Sequence, residues 1–143
     1  MRQVSYTFKI KAPQQEVFNF LTDIRKLAEC IPQLEELTVI NQTESQWKLR
    51  LSAGFVSQVV LLRTKLEEVK PYSTASFKGE GTNIRVAGRF ELKPINSNET
   101  EVYFTTSIDV SGPLGWLIDI VMGPTADRLA QEIITNLKNK LER

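Results

Sequence analysis

The run Ile84-Arg85-Val86-Ala87-Gly88-Arg89-Phe90-Glu91-Leu92-Lys93, followed by Glu101-Val102-Tyr103-Phe104-Thr105-Thr106-Ser107-Ile108-Asp109-Val110, decides the fold. In the first half Ile84, Val86, Gly88, Phe90 and Leu92 oppose Arg85, Ala87, Arg89, Glu91 and Lys93. In the second, Val102, Phe104, Thr106, Ile108 and Val110 oppose polar or wet positions. A period of two with one apolar and one polar face is the pattern of half-buried strands in an antiparallel sheet. Asn96-Ser97-Asn98-Glu99 between them is of hairpin length and turn composition.

The same alternation extends in both directions. Trp47, Leu49, Leu51 and Ala53 alternate with Gln46, Lys48, Arg50 and Ser52, and Ala75, Phe77 and Gly79 alternate with Thr74, Ser76 and Lys78. At the N-terminus Val4, Tyr6, Phe8 and Ile10 share one face. Turn clusters fall at residues 41–45, 53–54, 70–73 and 81–83. In Phe55 to Lys70 the stretch Val59-Val60-Leu61-Leu62 is apolar on both faces. It reads as a long strand with a partly covered outer face or, alternatively, as a partner surface. Between the first strand and this series, Pro13 suits the first position of a short helix carrying a Val17, Phe20, Leu21 stripe. Asp23 supplies the N-cap of a second helix over 24–30, stopped before Pro32. After Ser111-Gly112-Pro113 the period becomes helical. Leu114, Leu117, Ile118, Val121, Met122, Thr125, Leu129, Ile133, Leu137 and Leu141 predict a helix of nearly 30 residues, kinked or broken at Gly123-Pro124.

These elements imply an α+β helix-grip arrangement: a curved seven-stranded antiparallel sheet around a long C-terminal helix, with two short helices after the first strand. At 143 residues with 41% hydrophobic content, one domain spanning 1–143 has enough apolar surface for a core without staples. The chain contains one cysteine and no histidine. That composition excludes an intramolecular disulfide, a Cys/His zinc site, a Ser-His-Asp triad and a Cys-His nucleophile. Eighteen basic against 17 acidic residues give no electrostatic footprint for nucleic acid. The N-terminus lacks the apolar run of an export signal, and no segment has the roughly 20 apolar residues of a spanning helix. The expected location is therefore cytoplasmic. Asn41-Gln42-Thr43 and Asn98-Glu99-Thr100 match glycosylation acceptors but are expected to stay unmodified without export.

The segment Phe8-Lys9-Ile10-Lys11-Ala12-Pro13-Gln14-Gln15-Glu16-Val17-Phe18-Asn19-Phe20-Leu21-Thr22-Asp23, with Leu27-Ala28-Glu29-Cys30-Ile31-Pro32, resembles the N-terminal signature of the CoxG family, named for the CoxG subunit of carbon monoxide dehydrogenase. That family belongs to the START-like, polyketide-cyclase-like (SRPBCC) superfamily. Gly79-Glu80-Gly81, Gly88, Thr100-Glu101-Val102-Tyr103-Phe104 and Val110-Ser111-Gly112 follow in the same order. Phe18, Gln33 and Gly123-Pro124 depart from the usual pattern. The resemblance implies a non-catalytic accessory protein for a molybdenum hydroxylase of the carbon monoxide dehydrogenase type, binding a small hydrophobic or lipid-like ligand such as a quinone. It also implies peripheral contact with the inner face of the membrane. No cofactor is implied.

From the residues, the space between helix and sheet is the candidate site. Its expected lining is Trp47, Leu49, Leu51, Leu62, Phe77, Phe90, Phe104, Leu117, Val121, Met122 and Leu129, with Gln58, Thr64 and Thr106 as polar groups able to orient a ligand. Most of these residues equally serve as core. Leu114, Trp116 and Ile120 read either as packed beside the helix or as a lid or membrane-touching edge. Cys30 reads as a buried thiol, and Glu67 and Glu68 as neighbours on opposite faces of a strand. Asp119 is either a solvent-facing or a buried acid. Two further readings remain: a polyketide cyclase or dehydratase-type enzyme using Tyr6 or Thr106, and a protein-interaction module for complex assembly using Val59 to Leu62.

Overall fold

The computed structural model describes residues 2–53, 55–118 and 124–142. Strand β1 (Arg2–Ile10) is followed by helices α1 (Gln14–Leu21) and α2 (Ile24–Ala28). Six strands follow: β2 (Leu34–Val39), β3 (Glu44–Ala53), β4 (Val56–Lys70), β5 (Thr74–Gly81), β6 (Ile84–Asn96) and β7 (Glu99–Val110). A single 3-10 turn (Gly112–Leu114) precedes the last helix, α3 (Pro124–Leu141).

All seven strands form one antiparallel sheet in the order β1-β7-β6-β5-β4-β3-β2. The curved sheet wraps the C-terminal helix, and the helix-grip fold inferred from the alternation is the fold observed. Register makes the inner face explicit. Trp47 pairs with Leu62, Leu49 with Val60 and Leu51 with Gln58; Phe77 pairs with Gly88, Phe90 with Phe104, and Phe104 with Tyr6. Directly opposed residues of an antiparallel pair lie on the same face, so these side chains share the concave side.

The core runs along the concave face of the sheet and takes in buried residues of α1, α2 and α3. Ile10, Val17, Val102, Leu117 and Leu137 are fully buried there. Buried polar groups are paired: Thr100 Oγ1 donates to the Ala12 carbonyl at 2.8 Å, and the Trp47 indole donates to Ser45 Oγ at 2.7 Å.

Local details differ from the sequence-based expectation in four places. Pro13 is the extended residue before α1 rather than its first helical residue. Helix α2 ends at Ala28, after which the Cys30 amide bonds back to the Leu27 carbonyl in a tighter turn. The C-terminal helical region is not one α-helix from Leu114, because residues 112–114 form a separate 3-10 turn in which Gly112 takes φ +57°, a conformation outside the helix. The described part of α3 opens at Pro124, and the expected kink or break at Gly123-Pro124 involves residues 119–123, which lie outside the described residues. Finally, Glu67 and Glu68 do not point to opposite faces. The β4–β5 register shifts between Leu66 and Glu68, and such a bulge leaves two consecutive residues on one side. Both carboxylates therefore reach outer-face cations, Glu67 to Lys78 and Glu68 to Lys70 and Arg89.

Candidate functional site

The concave face mixes buried side chains, among them Val60, Leu62, Ile84, Phe90 and Ile108, with half-buried ones. Helix α3 is tied down at its C-terminal half: Asn136 donates to the Cys30 carbonyl at 3.0 Å, and Glu142 accepts from the Lys11 amide at 2.8 Å. Leu137 and Leu141 are correspondingly buried. Toward its N-terminal half Leu129 and Ile133 are only half-buried. So are Leu49, Leu51, Gln58, Thr64, Leu66, Phe77, Val86, Phe104 and Thr106 on the facing sheet. The apolar members of this set pack against the buried core and keep part of their surface accessible, and that surface is what this face offers an apolar guest.

Ten of the sequence-predicted residues share the concave register: Trp47, Leu49, Leu51, Gln58, Leu62, Thr64, Phe77, Phe90, Phe104 and Thr106. Of these, Trp47, Leu62 and Phe90 are buried and belong to the core as much as to any site. Leu117 is fully buried, and Leu129 packs half-buried on the core. Val121, Met122 and Ile120, with Asp119, lie outside the described residues. Leu114 and Trp116 are half-buried against the core cluster.

The polar groups are few and mostly occupied. Thr106 Oγ1 donates to the Ala87 carbonyl at 3.2 Å, and the Gln58 amide nitrogen donates to the Val59 carbonyl at 3.0 Å. Thr64 lies opposite Gly79. Tyr6 donates its hydroxyl to Asp127 Oδ1 at 3.1 Å, bridging β1 and the first turn of α3. Burial, then the Asp127 carboxylate, pushes the Tyr6 phenol above its ordinary value.

An aromatic stripe crosses the floor. Phe90 stacks on Phe104 at 4.6 Å between centroids, and Phe77 tilts against Phe90 at 5.6 Å. Phe77 lies low because its neighbour is Gly88: a Cβ there would stand 2.5 Å from the ring edge.

The sequence puts Val86 on this face, but neither it nor Val60 and Leu66 was expected in the lining, and Asp127 at the rim was not expected at all. The alternation holds the first three. Asp127 is signalled only by an acid in the first helical turn, a position usually explained by the helix dipole.

Cys30 is fully buried, and burial raises its thiol; Lys140 lowers it to a lesser extent and Glu29 raises it. Two open grooves lie elsewhere. One, of about 620 Å³, runs between Thr22–Arg25 and Asn41–Gln42; another, of about 340 Å³, lies among Asn83, Arg85 and Asp109. The carboxylate of the first already caps α2, accepting from the Arg25 and Lys26 amides. Neither groove includes a residue of the aromatic stripe, and the concave face remains the stronger candidate. No group of three or more metal-ligating side chains occurs among the described residues.

The sequence matches the family model for CoxG, the carbon monoxide dehydrogenase G-subunit, over residues 7–142. The chain belongs to the CoxG family. Comparison with curated proteins finds no sequence match. Among solved structures, this CoxG-family chain is similar to a conserved protein from Geobacillus kaustophilus, with 21% identity and a TM-score of 0.83 over 98% of this chain and 95% of that one. It is also similar to a START superfamily protein from Mycobacterium smegmatis, at 14% identity and TM-score 0.75 over 98% and 97%. A third is the ZhuI aromatase/cyclase from Streptomyces sp. R1128, at 17% identity and TM-score 0.66 over 99% and 94%. At these identities the structural likeness speaks for the fold alone. Among the described residues of the CoxG-family chain, no helix is long and apolar enough to cross a membrane.

Proposed function

We propose that this CoxG-family chain binds a small hydrophobic or lipid-like ligand, such as a quinone, on its concave face without transforming it. In this role it serves a carbon monoxide dehydrogenase-type molybdenum hydroxylase in the cytoplasm, at the inner face of the membrane. The observation that carries the reading is the half-buried apolar lining between α3 and the sheet, from Leu49 and Leu51 through Phe77 to Phe104 and Leu129. Such a lining favours an apolar guest over water. The lack of histidine and the engagement of Thr106 and Gln58 with main-chain carbonyls leave few groups for acid-base chemistry. On the outer face Leu61 is exposed and Val59 half-buried, which supports using this strip toward the partner enzyme.

Native mass spectrometry of the purified chain tests the reading. A co-purifying apolar mass, or saturable one-to-one uptake of a quinone or fatty acid that weakens when Phe104 is replaced by Ala, is the expected result. A chain that retains and takes up no apolar molecule would overturn it. The enzymatic alternative has one observation in its favour, the Tyr6 hydroxyl paired with the Asp127 carboxylate at the rim of the concave face. Turnover of an aromatic polyketide, abolished by Tyr6→Phe, would establish it instead.

A further inference from the structure

The concave face has a flat part and a polar end, and the two are contiguous. Phe77, Phe90 and Phe104 are ring neighbours on three adjacent strands, and Tyr6 stands opposite Phe104 on the fourth. The packing at Gly88 lets Phe77 lie against the sheet, so its ring continues the surface made by the other two. Phe90 is buried, whereas Phe77 and Phe104 keep accessible surface. Aromatic faces prefer offset-stacked or edge-on ring partners. A floor of adjoining rings therefore complements a planar guest better than a flexible chain.

At the β1 end the Tyr6 hydroxyl meets Asp127 from α3. Tyr6 occupies Oδ1; Oδ2 has no hydrogen-bond partner among the described residues. A carboxylate is acceptor-only when ionised and accepts more strongly than a neutral oxygen. Its spare oxygen, exposed at the Tyr6 end of the stripe, where Tyr6 pairs with Phe104, suits a hydroxyl on a ring.

We propose that Tyr6 and Asp127 are the specificity determinants of the cleft, selecting a planar aromatic ligand that carries a hydroxyl group. The ring lies along the Phe104–Phe90–Phe77 stripe, and the hydroxyl donates to Asp127 Oδ2. Tyr6 holds the carboxylate in place through Oδ1 and covers the ring's edge. The inference rests on the ligand-binding reading above and adds to it the class of ligand and the groups that choose it.

The test compares 2-naphthol with 2-methylnaphthalene, matched in size and differing in the hydroxyl, by titration calorimetry against the full chain. The unaltered chain is expected to bind 2-naphthol about 10-fold more tightly, the range in which a hydrogen bond to a charged acceptor operates. Asp127→Asn and Tyr6→Phe, each with an unchanged far-UV spectrum and melting temperature within a few degrees, should bring that ratio below about 3 and leave 2-methylnaphthalene unaffected. Phe104→Ala should weaken both. Equal affinity for the two probes, or a ratio that survives Asp127→Asn, overturns the inference. Failure of both naphthalenes alongside binding of a fatty acid overturns it too, while the broader apolar-ligand reading stands. Failure of every apolar probe removes both.

Discussion

Replacing Gly88 by Ala puts the close approach of Phe77 to a quantitative test. The new Cβ would stand 2.5 Å from Phe77 Cε2, against about 3.4 Å for ordinary contact, so the ring edge must withdraw by about 0.9 Å. The obstacle is the far edge of a half-buried side chain, which can tilt. Overpacking of this kind costs about 1–2 kcal/mol, and the gain of Ala over Gly inside a strand returns about 0.5–1 kcal/mol. The net expectation is a destabilisation of about 1 kcal/mol, or a fall of about 4 °C in melting temperature for a domain of this size. Gly81→Ala is the internal comparison. There the Cβ would stand 2.3 Å from the Leu61 carbonyl oxygen, a main-chain atom that cannot tilt away without parting β4 from β5. Its cost should reach about 3 kcal/mol or more. Urea unfolding followed by the fluorescence of Trp47 and Trp116 measures both. In a Phe77→Ala background the obstacle at residue 88 is gone, and Gly88→Ala should become neutral or stabilising by about 0.5 kcal/mol, a coupling of at least about 1 kcal/mol. The same loss with and without the Phe77 ring, or a Gly81→Ala variant as stable as Gly88→Ala, would refute the steric account.

Stability should fall at alkaline pH in part through Cys30 and Tyr6. Cys30 and Tyr6 both titrate higher in the folded chain than their ordinary values of 9.0 and 10.0, each chiefly because of burial, so the folded state binds more protons there. Their contributions are complete below those ordinary values and are lost as pH rises through the raised ones. Chemical denaturation between pH 8 and 11 should show a shallower decline in the double variant Cys30→Ala/Tyr6→Phe; an unchanged slope would contradict it. Trp47→Phe should cost about 1–3 kcal/mol beyond the lost packing by depriving the fully buried Ser45 hydroxyl of its donor. Adding Ser45→Ala should recover part of that loss by circular dichroism melts.

The alternation of Ile84 to Val110 was enough for the sheet because one face of each strand packs inward and the other meets water, so burial is written into every second residue. It could not show what happens between Leu66 and Val69, where a bulge reverses the parity and puts Glu67 and Glu68 on one side. Nothing in a two-residue acidic pair marks that extra residue. The concave lining was legible for the same reason as the sheet, since Phe77, Phe90 and Phe104 sit on inward positions whatever they bind. Asp127 was not, because its meaning comes from Tyr6, 121 positions earlier in the chain, and a carboxylate in a first helical turn ordinarily serves the helix itself. The C-terminal helical period was visible from Leu114, but spacing alone does not distinguish a 3-10 turn from the start of an α-helix.

The order of the sheet also constrains how the chain assembles. Strands β2 to β7 form a meander in which each strand pairs with the next, so they can join hairpin by hairpin with short closures. Strand β1 must wait: Ile10 pairs with Thr100 and Arg2 with Ile108, across most of the sequence. During synthesis β1, made before the other strands of this sheet, must therefore wait for its neighbour, and its apolar residues Val4, Tyr6 and Phe8 stay without sheet partners until β7 has emerged. Closure of the sheet by β1 also brings Tyr6 within reach of Asp127, so the rim of the cleft is assembled only in the final step.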